Sequence, residues 1–147
     1  MLIQGTGAVR AGIWARKPII NDSLDIGTVF PMVLWAKQRG LAVLIMNPNC
    51  SKDPITGKLI KGHTMDSHCE YLWEKLVANT LPDRPLLMVA HSAGGYCAAK
   101  IVHRFSKRKN MINPTGENFF KRAVAVAFTD SCHGGIEERL SKKGTFS

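Results

Sequence analysis

Leu86-Leu87-Met88-Val89-Ala90-His91-Ser92-Ala93-Gly94-Gly95 is the stretch that decides the fold. An apolar run leads into a turn of small residues centred on Ser92, and Tyr96 to Phe105 then read as helix. Strand, sharp turn with a central serine, helix is the setting of a nucleophile elbow. The match is G-x-S-x-G with Ala90 in place of the first glycine. Small residues suit such a turn because the serine sits on strained backbone and its neighbours pack closely.

Outward from that stretch the chain alternates. Leu2-Ile3 reads as the end of a buried strand. Residues 4–27 read as a long Gly-rich loop, with Pro18 and Asn21-Asp22-Ser23 as turn chemistry. A helix is expected from Phe30 to Arg39, capped by Thr28, with Pro31 in its first turn and Gly40 as its stop. Leu41 to Met46 is continuously apolar, the pattern of a strand buried on both faces, and Asn47-Pro48-Asn49 ends it. Met65, Cys69, Leu72, Trp73, Leu76 and Val77 then recur at helical spacing, with Ser67 and Glu70 spaced as a capping box. Pro82 and Pro85 bracket the turn into the strand at 86–90. A polar loop with Asn113-Pro114 and Gly116 follows the elbow helix, and Ala123 to Phe128 is the last clear strand. Strands alternating with helices predict an α/β fold with a parallel sheet, whose functional sites lie outside the C-terminal strand ends. Gln4-Gly5-Thr6-Gly7, Ser92 and the segment from Asp130 to His133 all fall at those ends.

Composition narrows the class. The 147 residues suffice for one domain with a core, and 45% hydrophobic against 21% charged content excludes a disordered chain. No apolar run approaches the roughly 20 residues that span a bilayer, so no membrane association is expected. Met1-Leu2-Ile3 is too short for a secretory h-region. Cys50, Cys69, Cys97 and Cys132 form no C-x-x-C pair, which argues against zinc and for a reducing compartment, with Cys69 and Cys97 as buried helical thiols. The net charge is +9. Lys100, Arg104, Lys107, Arg108, Lys109, Lys121 and Arg122 stand against Glu117 alone. Such a stretch at 100–122 suits weak or indirect RNA contact, an acidic partner or nuclear import; it equally suits a solvated helix end.

Acyl transfer by a serine needs a base, an acid that orients the base, and donors for the oxyanion. Ser92 is the nucleophile candidate. The backbone N–H of Ala93 is one oxyanion donor, and Gly5-Thr6-Gly7 supplies a second or is a plain tight turn. Asp130 is the acid candidate or a strand-end turn residue. His133 is the base candidate, although it follows Asp130 by only three residues. His91 precedes the serine directly and is expected to point away from its hydroxyl. No residues have metal-ligand spacing. Gly5-Thr6-Gly7 lacks the rest of a dinucleotide or phosphate-loop fingerprint, so no cofactor is implied.

Several blocks carry a resemblance: Leu2 to Arg16, Ile19-Ile20-Asn21, Leu24 to Thr28, Asn47-Pro48-Asn49, Val89 to Gly95, and Ala125 to His133. Together they resemble the Arb domain, named for an Argonaute-binding protein, whose animal members are cotranscriptional regulators (the former "family with sequence similarity 172" proteins). The resemblance covers nearly all of residues 2–133. It implies an α/β-hydrolase-like fold and association with Argonaute in small-RNA-guided heterochromatin formation, or with chromatin and splicing factors. It also implies a nuclear location, with cytoplasmic presence allowed. Members similarly carry alanine before the histidine of the elbow. They usually have His-Gly where this chain has Gln4-Gly5, and they continue to a later strand with Gly-Thr-Asp-x-x-His. The chain therefore reads as a partial domain over 1–133, without the first and last strands, followed by a polar, frayed tail at 134–147. A regulatory binding module is expected ahead of an active serine hydrolase.

Overall fold

The computed structural model describes residues 1–78, 84–106 and 122–134. The polar loop at 107–121 and residues 135–147 of the expected tail lie outside them, as do Lys107, Arg108, Lys109 and Lys121 of the basic stretch. Three strands, β1 (Leu2–Ile3), β2 (Leu86–His91) and β3 (Ala123–Thr129), form a parallel sheet in that order. The helices are α1 (Arg16–Asn21), α2 (Leu24–Gly27), α3 (Phe30–Gln38), α4 (Met65–Leu72) and α5 (Gly94–Ser106). The α/β class thus holds.

Several local expectations are corrected. Residues 4–27 are not one long loop, because α1 and α2 lie within them; the Ser23 hydroxyl caps α2 by accepting from the Ile26 N–H. The strand expected at 41–46 is reduced to one bridge between Leu2 and Ile45. The Leu2 N–H donates to the Leu44 carbonyl at 2.8 Å, and the Met46 N–H donates to the Leu2 carbonyl at 2.9 Å. β1 offers only Leu2 and Ile3 as ladder partners, so residues 41–43 join no ladder among the described residues. Nor is that segment buried on both faces: Leu41 and Ala42 are exposed, and Met46 alone is fully buried. The capping box sits three residues earlier than expected. Thr64 and Ser67 exchange side-chain-to-backbone bonds at 3.3 and 3.1 Å, and Glu70 is left to pair elsewhere. The helix that follows changes to π geometry over Trp73–Ala78.

The signals around α3 work as sequence chemistry dictates. Thr28 Oγ1 accepts from the Phe30 N–H, although the residue flanking the helix is Val29. At the other end Gly40 takes a φ of +67°. The Gly40 N–H reaches the Lys37 carbonyl and the Leu41 N–H reaches the Ala36 carbonyl, the paired bonds of a Schellman stop.

The two sheet faces are covered unequally. α4 and α5 pack on one, where Cys97, Ala98, Ile101 and Val102 recur at helical spacing and meet Ile3, Met46, Met88 and Ala90. All eight side chains are fully buried. Cys69 and Cys97 are buried there, and a hydrogen bond from one thiol to the other, reinforced by burial, raises the Cys69 pKa. On the opposite face the cluster buries, among the described residues, Leu2 together with Trp14 and Val29 of the 13–39 segment. Two of the basic residues, Arg104 and Arg122, are more than a solvated helix end. Arg104 of α5 pairs with Glu70 and Glu74 across to the α4 side, and Arg122 is buried, donating to the Val77 and Arg84 carbonyls at 3.0 Å.

Candidate functional site

Strand register brings the three sequence blocks into one row. Ile3 pairs with Ala90 and His91 pairs with Thr129, so Gly5, Ser92 and Asp130 follow at matching levels beyond the strand ends. Ser92 has a φ of 50°, the strained left-handed region in which an elbow serine sits. Its backbone is held from several sides. The Ser92 N–H donates to the Thr129 carbonyl at 3.1 Å. Its carbonyl accepts from the Gly95 N–H, from the Cys132 N–H at 3.0 Å and from the Ser131 hydroxyl at 3.2 Å. Surroundings that over-determine a residue in this way are what strained backbone needs.

The glycines flanking the row are required by close approach. A Cβ at Gly94 would lie 2.6 Å from the Gln4 carbonyl oxygen and nearer still to that of Ile3, both fixed backbone atoms. A Cβ at Gly5 would lie 2.9 Å from Ser92 Cβ and 3.3 Å from its Oγ. The loop after β1 therefore passes directly over the serine side chain. Ala93, the other proposed oxyanion donor, sits at the turn, where its carbonyl accepts from the Tyr96 N–H at 3.1 Å.

The Gly5–Val9 loop is braced by the Asn47-Pro48-Asn49 segment. Asn49 Nδ2 donates to the Gly5 carbonyl at 2.8 Å and to the Val9 carbonyl at 3.2 Å. Asn47 Oδ1 accepts from the Ala11 N–H at 3.2 Å. The Asn47 N–H in turn donates to His68 Nε2 of α4 at 3.3 Å, and burial lowers the His68 pKa. In the sequence these asparagines mark a strand end and a resemblance block, with no bracing role. Asn-Pro-Asn at a strand's C-terminal tip, with two side-chain amides free to bond neighbouring loops, was the available signal.

Beside Ser92 lies a cavity of about 260 Å³ lined by the Gly5–Val9 loop, residues 14–17, His91 and Ser92. Trp14, Arg16 and Lys17 belong to this wall; Trp14 and Arg16 fall in the resemblance block Leu2 to Arg16, but no chemical motif marks any of the three as lining a site. The His91 ring contacts Trp14, with centroids 5.5 Å apart, and its Nδ1 faces the Thr129 carbonyl at 2.9 Å. The Thr129 hydroxyl lies 3.1 Å from the same nitrogen. His133 stacks on Phe128, with ring centroids 4.1 Å apart and planes 9° from parallel. Asp130 is exposed, with a φ of 43°. Among the described residues no hydrogen bond joins the Ser92 hydroxyl to His91, Asp130 or His133. Gln4 is fully buried, and neither of its amide atoms has a partner among the described residues, a cost of about 1–3 kcal/mol.

The chain is 39% identical over 107 residues to a FAM172 family protein homolog of Caenorhabditis elegans, a match covering 71% of this chain and 33% of that protein. The chain belongs to the FAM172 family. It is also 51% identical over 49 residues to the cotranscriptional regulator ARB2A of Homo sapiens, covering 33% of this chain and 12% of the relative. A cotranscriptional regulator ARB2A homolog of Dictyostelium discoideum is 26% identical over 165 residues, covering 90% of this chain and 40% of its own length. The chain thus spans well under half the length of these relatives. No family model and no solved structure matches it.

Proposed function

We propose that this chain is a regulatory binding domain on an α/β-hydrolase-like scaffold. In this reading it acts in the nucleus with Argonaute-type, chromatin or splicing proteins, in small-RNA-guided heterochromatin formation or cotranscriptional regulation. The observation that carries the reading is the contrast at the strand ends. The elbow backbone, Gly5 and the adjoining cavity are built, while the nearby imidazoles are engaged in packing: His91 with Thr129 and Trp14, His133 against Phe128. A built cavity without an engaged base suits binding better than turnover. The relatives named cotranscriptional regulators support the regulatory part. Co-precipitation of the full-length protein from nuclear extract tests it. Enrichment of Argonaute or chromatin proteins is expected, and their absence overturns the reading.

A second reading is an esterase-type serine hydrolase. Ser92 would attack, His133 oriented by Asp130 would take the proton, and the N–H groups of Ala93 and the Gly5-Thr6-Gly7 loop would hold the oxyanion. The left-handed Ser92 and the bare Gly5 beside its Oγ favour it. Labelling of the full-length protein by a fluorophosphonate, lost in Ser92→Ala, would establish this reading, and no labelling would remove it.

A further inference from the structure

We propose that the cavity beside Ser92 binds a small carboxylate with a short apolar body. This rests on the regulatory-binding reading and names the chemistry of its ligand. The polar groups of the cavity wall point to an anion. Arg16 and Lys17 line it, and neither forms an ion pair among the described residues. No aspartate or glutamate lines it. The backbone N–H groups of Thr6, Gly7 and Ala8 have no acceptor among the described residues, and the Ser92 hydroxyl is likewise unengaged. Such a wall supplies hydrogen-bond donors and positive charge with no competing carboxylate, as anion-binding concavities do.

The rest of the wall selects a carboxylate over a phosphate. Trp14, Val9 and Ala8 give the cavity an apolar side that a bare phosphate cannot use. The Arg16 guanidinium is a planar fork that takes a carboxylate or a phosphate in two bonds, so the apolar side makes the choice. A cavity of about 260 Å³ has room for one aromatic ring carrying a carboxylate. Benzoate has that size and that division into ring and charge.

Calorimetric titration of the full chain with benzoate, benzyl alcohol and inorganic phosphate separates the terms. Benzyl alcohol keeps the ring without the charge, and phosphate keeps the charge without the ring. Benzoate is expected to bind at least tenfold more tightly than either. The Arg16→Gln/Lys17→Gln double variant alters two exposed side chains and is expected to lose at least tenfold of the benzoate affinity, with benzyl alcohol unchanged. The Lys52→Gln/Lys58→Gln double variant removes the same charge elsewhere on the exposed surface and should bind benzoate as the unaltered chain does. The proposal is overturned if benzoate binds no better than benzyl alcohol or than phosphate, or if both double variants weaken it equally. Should the first double variant fail to fold, the three ligands on the unaltered chain decide alone. Benzoate binding without co-precipitated partners would remove the regulatory reading and leave the ligand site; partners without benzoate binding would do the reverse.

Discussion

The two faces of the sheet are stabilised by different means. The α4–α5 face is an apolar core, with Ile3, Met46, Met88, Ile101 and Val102 fully buried. The opposite face buries little beyond Leu2, Trp14 and Val29, and the segment covering it leaves Ile20, Leu24, Ile26, Phe30 and Leu34 more than half exposed. The cavity adjoins this thinner face, and its loop is held by amide-to-carbonyl bonds rather than by apolar packing. Stability and the candidate site are therefore separated across one sheet. The core fixes the strands, and polar braces shape what projects beyond their ends. Sites carried by loops on a rigid scaffold follow this division.

The largest expected effect comes from breaking the close approach of α5 to β1, on which the dense face rests. Gly94→Val pushes a branched side chain into the Ile3 and Gln4 carbonyls, backbone that cannot move without opening the sheet. A loss of at least ~3 kcal/mol is expected, at or above the usual cost of overpacking. An unchanged urea midpoint would show that α5 does not begin against β1 as described. A matched pair then compares the faces themselves. Val102 and Val29 are 0% and 1% exposed, and Val→Ala removes the same groups at each, a transfer loss of about 1.6 kcal/mol. Val102→Ala should cost more, because the dense core cannot relax around the space left, whereas the thin face can. Equal costs would mean that the faces are equally well packed.

The smallest effect sharpens the polar side of the comparison. His68 Nε2 accepts the Asn47 N–H and must be unprotonated to do so. Burial lowers its folded pKa below the usual histidine value of about 6.5. The unfolded chain therefore takes up the proton first, so stability is full above about pH 6.5 and declines as the pH falls through the folded pKa. Urea midpoints followed from pH 7.5 to 5 should show this decline, and His68→Gln should flatten it. A variant profile parallel to that of the unaltered chain would sink the assignment.

The same division explains what the sequence disclosed. Strands β2 and β3 and helices α3 and α5 were legible because a continuous apolar run, a glycine stop or helical spacing marks each of them. The elbow was legible because its backbone demands small residues at Ala90, Ala93 and Gly94. Leu41 to Met46 misled because its apolar run advertises burial on both faces, while β1 offers two residues to pair with and much of the segment stays exposed. Glu70 misled because carboxylate spacing alone cannot distinguish a helix cap from a partner for Arg104. The cavity wall was not legible. Arg16 and Lys17 share a cavity with Ser92 only through the fold, and although Arg16 closes a resemblance block, neither residue's spacing distinguishes it from a solvated charge.

Asn49 does more than join two loops. Its one amide nitrogen reaches the first and last carbonyls of the Gly5–Val9 segment, closing five residues into a ring with a side chain as its clasp. A ring closed in this way has already given up its conformational freedom before anything enters the cavity. The wall beside Ser92 is preorganised by an asparagine that does not line it, so a ligand meeting those backbone amides has little left to order.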